Sequence, residues 1–206
     1  NRIVDDRFVE ALGDLFVEAI AAPDFTTLAQ EILNRSRRNC RLLRMEGAEM
    51  PPELANVEFR VVRGGVLAQT FDNGDPASTA WKVVSRREPT EAERRALRFA
   101  WQAAQAVKSN AIVIATERCT VGIGGGLPSR VDAAHLAVRK AGSRAEGAVL
   151  ASDAFFPFAD GLQAGIDAGI TAAIAPGGSV RDEEVIAAAD AANVALIFTG
   201  VRHFRH

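Results

Sequence analysis

The stretch SDAFFPFAD, running from Ser152 to Asp160, places Phe155, Phe156, Pro157 and Phe158 between two aspartates, directly after an apolar run. A buried strand accounts for the rings but not for the proline. A surface loop accounts for Pro157 and Asp160 but not for exposed aromatic rings. The edge of a binding site accounts for both, because flat apolar walls can hold a planar ligand while a carboxylate beside them fixes its polar atoms.

Three other segments could do chemistry. The run VGIGGGLPSRVD from Val121 puts glycines before a helix start, where bare backbone amides suit an anion. Gly122, Gly124 and Gly126 are spaced GxGxG and no Gly-Lys-Ser/Thr follows, so neither the dinucleotide nor the P-loop signature is met. A glycine-rich turn between packed elements is the equal alternative. Arg130, at the start of that helix, opposes the helix dipole and so needs another reason to be there, such as an anionic or carbonyl ligand. In APGGSVRDEE, Pro176 and Gly177 lead to Ser179 as the expected cap. The acids that follow already satisfy the dipole, which favours a plain turn over a phosphate site. The last segment, VRHFRH, comes off a strand, so Arg202 could fork onto a phosphate and His206 offers an imidazole that titrates near neutrality. A frayed basic tail is the competing reading. Metal binding is not expected, since His135 lies in a predicted helix and no HxxxH or HxE…PCxxC set occurs.

The elements that must position these residues follow from periodicity. Residues 6–22 carry Phe8, Leu12, Leu15, Phe16, Val17 and Ile20 near a 3.6-residue repeat, which predicts one amphipathic helix ended by Pro23. TTLAQEILNRS predicts a second helix; RLLRM, VEFRVV and GVLAQTF read as extended, with turns at residues 63–65 and 72–76. A long helix opens after Glu88-Pro89-Thr90. From Lys108 onward short apolar strands alternate with helices, which predicts a largely parallel sheet covered on both faces. Ligands gather at the carboxyl ends of such strands. GGGLPSR, SDAFFPFAD, APGGSVRDE and VRHFRH each follow a strand, while Ser109-Asn110 begins one.

Bulk composition is that of a globular chain: 206 residues, 48% hydrophobic and 24% charged, with a net charge of −2 that gives no reason to expect nucleic acid or an anionic membrane as partner. Cys40 and Cys119 lack CxxC spacing and read as free thiols of a cytoplasmic protein. No apolar run approaches membrane-spanning length. The chain begins NRIVDDRF, without an initiator Met, which reads like the middle of a longer polypeptide.

Three segments go further. KSNAIVIATERCTVGIGGGLPSRVDAAHLAVRKA, SDAFFPFADGLQAGIDAGITAAIAPGGSVRDEEVIAAAD and FTGVRHFRH resemble, in order, the C-terminal half of the AICAR transformylase domain. That domain belongs to the bifunctional purine-biosynthesis enzyme whose other domain is IMP cyclohydrolase. The resemblance is close from Lys108 to His206 and looser over residues 1–107. It implies residues 108–206 as a zinc-free, cytidine-deaminase-like three-layer α/β unit, and residues 1–107 as an α+β connection to a first half. It also implies formyl transfer from 10-formyltetrahydrofolate, as co-substrate, to the 5-amino group of AICAR in a homodimer. On this resemblance Asn110 and Arg130 hold the carboxamide side of AICAR, Phe155 packs on the base and Arg202 meets the phosphate. Pro157, Asp160, Pro176 and Gly177 line the folate side, and His206 stands beside the reacting centre. Two departures stand out. Leu127-Pro128 replaces the family's usual Gln and Met/Val before Ser129-Arg130, and the Lys-His pair of a KHxNPCG-type segment does not occur in this chain. A non-catalytic AICAR- or folate-binding relative, or an assembly subunit, is therefore the alternative.

Overall fold

The computed structural model describes residues 2–45 and 57–205 and forms two compact units, Asn1–Phe71 and Asp72–His206. The long helix lies in the second of these units.

In the first unit α1 (Asp6–Ala11) is capped by the Asp5 carboxylate, which accepts from the Phe8 N–H at 2.9 Å. The single helix expected over residues 6–22 is not formed. Gly13 takes a φ of +48°, a left-handed conformation open to glycine, and the chain leaves the helix there. Residues Ala19–Ala22 then become β1, with Ile20 and Ala22 buried in the two-residue alternation of a strand. β1 pairs in parallel with β2 (Arg41–Arg44), and α2 (Thr27–Ser36), capped by Thr26, connects them. Val9, Ile20, Phe25, Ala29 and Leu33 make the core of this unit. β3 (Val57–Val62) and β4 (Gly65–Thr70) pair as a hairpin whose turn uses Gly64 at φ +89°.

The second unit is built on six strands: β5 (Lys82–Val83), β6 (Ile112–Ala115), β7 (Thr120–Gly124), β8 (Val149–Ser152), β9 (Ala172–Ala175) and β10 (Ala195–Phe198), in the order β5-β10-β9-β8-β6-β7. The sheet is mixed, not mostly parallel. β8, β9 and β10 pair in parallel, whereas β6 is antiparallel to both β7 and β8, and β5 is antiparallel to β10. The cause is local: only four residues separate β6 from β7, enough for a hairpin and too few for a crossover. This reversal has a positional effect. Ile112, the first residue of β6, pairs with Ser152 and Gly124 near the carboxyl ends of β8 and β7, so Ser109 and Asn110 lie on the same sheet edge as the loops after β7, β8, β9 and β10.

Successive strand side chains enter opposite cores. Val113, Ala115, Val149, Ala151, Ile174 and Ile197 pack with Leu97, Trp101 and Ala104 of α3 (Glu91–Gln105). Ile112, Ile114, Leu150, Ala173 and Leu196 pack with α4 (Arg130–Ala141), α5 (Asp160–Asp167) and α6 (Asp182–Ala191). The result is three layers. α4 lies so close to β7 that a Cβ at Gly124 would sit 2.0 Å from the Ala133 carbonyl oxygen, and one at Gly122 would sit 2.1 Å from that of Ala137. Helix-to-strand packing therefore explains Gly122 and Gly124, as the reading of a glycine-rich turn between packed elements expects. At the other end of the unit, Thr90 and Glu93 form a reciprocal capping box on α3. Arg87 grips the same carboxylate through two nitrogens, at 3.0 and 2.7 Å.

Candidate functional site

Arg130 is buried at the first turn of α4, and its partners are internal. Nη1 donates to Asp153 Oδ1 and, at 2.8 Å, to the Ser152 hydroxyl; Nη2 donates to Asn110 Oδ1 at 2.9 Å. The second carboxylate oxygen of Asp153 accepts from the Ser109 hydroxyl. Asn110 completes the set by donating from Nδ2 to the Leu127 carbonyl at 2.9 Å. The unfavourable place of Arg130 on the helix dipole is thus offset by a fully buried carboxylate. Leu127 takes part through its backbone carbonyl, so the family's missing amide side chain leaves this contact intact. The network presents Arg130 and Asn110 side by side, with three of the five guanidinium donors engaged.

The rings divide by role. Phe156 is a core residue, packed below Gly161 of α5, and does not face outward. Phe155 is half-buried and carries the Arg202 guanidinium 4.8 Å above its ring centre. Phe158 is exposed and carries Arg181 at 4.6 Å. These two stacks tie the loop after β8 to the loops after β10 and β9. A Cβ at Gly178 would lie 3.5 Å from Arg202 Nη2, which places the glycine turn against the same arginine.

The residues expected on the folate side are less tightly gathered. Pro157 and Asp160 are exposed, and Asp160 accepts from its neighbour Gly161 N–H at 2.7 Å. Pro176 and Gly177 are buried; Gly177 takes φ +70°, and a Cβ there would meet the Phe198 ring at 2.6 Å. The expected cap Ser179 does not cap α6. The cap position falls to Arg181, two residues later, and no side chain caps the helix. The Asp182 carboxylate instead ties down the preceding turn, accepting from the Gly178 N–H at 2.6 Å and the Ser179 N–H at 3.1 Å.

The terminal segment is docked rather than frayed. The His203 N–H donates to the Asp153 carbonyl at 3.0 Å and the Ser109 N–H to the Arg205 carbonyl at 2.8 Å, so the tail runs along the sheet edge past both. His206 lies outside the described residues. Among the described residues no group of three or more His, Cys, Asp or Glu is arranged to hold a metal ion, and no helix is long and apolar enough to cross a membrane. Cys40 and Cys119 are free thiols.

Sequence reasoning missed Ser109 and Ser152 and did not see Asp153 as the partner of Arg130. The one available signal was a serine and an aspartate ending an otherwise apolar strand, polar groups that burial obliges to find partners. It also missed Asp72 and Asp75, which flank the buried ring of His203.

Comparison with known proteins identifies relatives of the chain. The family described as AICARFT/IMPCHase bienzyme matches residues 1–140. The bifunctional purine biosynthesis protein PurH of Chloroflexus aurantiacus is 53% identical over the whole chain, and those of a Chelativorans species and Brucella ovis are 49% and 48% identical. The chain spans about 40% of the length of each of these relatives. On this evidence the chain belongs to the AICARFT/IMPCHase bienzyme family of purine biosynthesis.

Proposed function

We propose that this chain is the substrate-holding part of an AICAR formyltransferase. One observation carries the reading: in a chain of this family, the paired Arg130–Asn110 and the stacked Arg202–Phe155 stand on one sheet edge, brought there by the antiparallel run of β6. The reaction joins the AICAR amine to the formyl carbon of 10-formyltetrahydrofolate. The amine loses a proton, a tetrahedral oxyanion forms, and the C–N bond to the folate breaks as that nitrogen takes a proton. Arg202 would hold the phosphate and Phe155 the imidazole face, while Arg130 and Asn110 meet the carboxamide. Asp160, exposed at the start of α5, would accept from the amino-pyrimidine edge of the pterin, with Pro157 and the Pro176-Gly177 turn beside it. His206 would stand next to the reacting amine. The same reading takes the second unit as cytidine-deaminase-like and the working molecule as a homodimer.

Titration calorimetry with AICAR and with 10-formyltetrahydrofolate tests the assignment. Saturable binding of AICAR, weakened in an Arg130→Met variant, is the expected result. An absence of AICAR binding by a folded chain overturns the reading. Binding of either ligand without turnover in the completed enzyme would favour the non-catalytic alternative.

A further inference from the structure

We propose that His203 is a positioning residue: a two-carboxylate clamp on its ring sets where Arg202 stands over Phe155. The clamp itself is independent of the AICAR reading; only the identity of what Arg202 holds rests on it.

His203 is almost fully buried, at 1% exposure, although it lies close to the end of the chain. Its Nδ1 faces Asp72 Oδ2 at 2.6 Å and its Nε2 faces Asp75 Oδ1 at 3.1 Å. Both carboxylates are held in turn. Asp72 accepts from the Gly74 N–H and from the Gln105 amide, each at 3.0 Å. Asp75 accepts from the indole N–H of Trp81 at 2.9 Å and of Trp101 at 3.1 Å. The Trp101 ring also packs against the imidazole, with centroids 4.8 Å apart. With its backbone N–H on the Asp153 carbonyl, His203 is fixed along both edges and one face. In an extended segment neighbouring side chains point to opposite sides. Arg202 and Phe204 are exposed on either side of the buried His203, so a fixed ring dictates the direction in which Arg202 leaves the chain. A purely apolar anchor would need none of the four polar contacts that converge here.

His203→Phe keeps a ring against Trp101 but removes both nitrogens; Asp72→Ala removes one contact from the other side, at a half-exposed residue that tolerates truncation. Each variant should leave the thermal midpoint within a few degrees of wild type. Hydrogen exchange at residues 201–205 should rise about tenfold or more in each. AICAR affinity should fall about tenfold, the loss of one well-placed charge-assisted contact, while folate affinity stays unchanged. The double variant should be no worse than either single one, because both break the same clamp. Wild-type exchange in His203→Phe, or additive losses in the double variant, would overturn the proposal. Faster exchange in both variants, with a wild type that does not bind AICAR, would support the clamp and sink the ligand reading instead.

Discussion

Arg202 lies over the Phe155 ring, so on the proposed reading a bound phosphate and that ring would compete for one guanidinium. The stack is worth roughly 0.5–1 kcal/mol at an exposed site, and a charge-assisted bond to phosphate about 1.5–3 kcal/mol. The exchange favours the ligand. Arg202→Ala should therefore weaken AICAR binding by most of that difference and leave the dephosphorylated nucleoside almost unaffected in calorimetry; equal losses for both would remove the phosphate role. Asp153 behaves differently, because its partner is buried with it. Asp153→Ala leaves the Arg130 charge uncompensated and should cost roughly 3–5 kcal/mol, read as a lower urea midpoint even without ligand. Arg202, Arg130 and Phe155 were legible as functional candidates from type and context alone. The Arg130–Asp153 pair was not, since the two residues lie 23 positions apart and neither side chain signals its partner.

Among the elements, α3 depends on a single carboxylate at its start. Burial opposes ionisation of Glu93, but bonds from Arg87, Thr171 and Thr90 outweigh it and hold the carboxyl down from the usual 4.5 to about 2. The folded protein binds this proton more weakly than the unfolded chain does. The resulting stabilisation is complete above pH 4.5 and disappears as pH falls towards 2. Urea midpoints measured across that window should fall in the wild type and fall less steeply in Glu93→Gln. At neutral pH Glu93→Gln should already be destabilised, by roughly 1–3 kcal/mol, because an amide must turn one N–H towards the Arg87 donors. The strands after Lys108 were readable because each is short and largely apolar, and the helices because their apolar residues recur between those strands. The helix expected over residues 6–22 failed for an equally local reason. Its apolar spacing fits a helix, but Gly13 and the strand partner β2 impose a different path, and Leu15 and Phe16 remain exposed.

On the proposed reading the chain supplies binding groups, and no Lys-His dipeptide occurs anywhere in its sequence. General acid–base catalysis contributes ~10²–10⁴-fold and oxyanion stabilisation ~10²–10³-fold in comparable chemistry. This chain alone should accordingly show no measurable formyl transfer at saturating substrates, and joining it to a polypeptide that supplies the rest of a relative's length should restore turnover. In the restored enzyme His206→Ala should lower kcat more than it raises KM. Robust turnover by the isolated chain would overturn this division of labour. The three-layer plan was legible from the alternation of strands and helices. CTVGIG was also readable as a candidate hairpin partner of the strand before it, which the β6–β7 pair bears out. The antiparallel pairing of β6 with β8 was not legible. A run such as residues 112–115 has the same composition whichever way it runs, and only the short link to β7 told against a crossover.

The cluster around Asp75 also gives the protein an optical signature. The chain has two tryptophans and no tyrosine, and both indole N–H groups donate to the one Asp75 carboxylate. Near-ultraviolet absorption and emission of the native protein therefore arise almost wholly from this spot. One of the two fluorophores touches the imidazole of His203, a side chain able to quench it. Emission intensity becomes a direct gauge of whether the terminal segment is seated, readable in a cuvette without label, substrate or engineered probe.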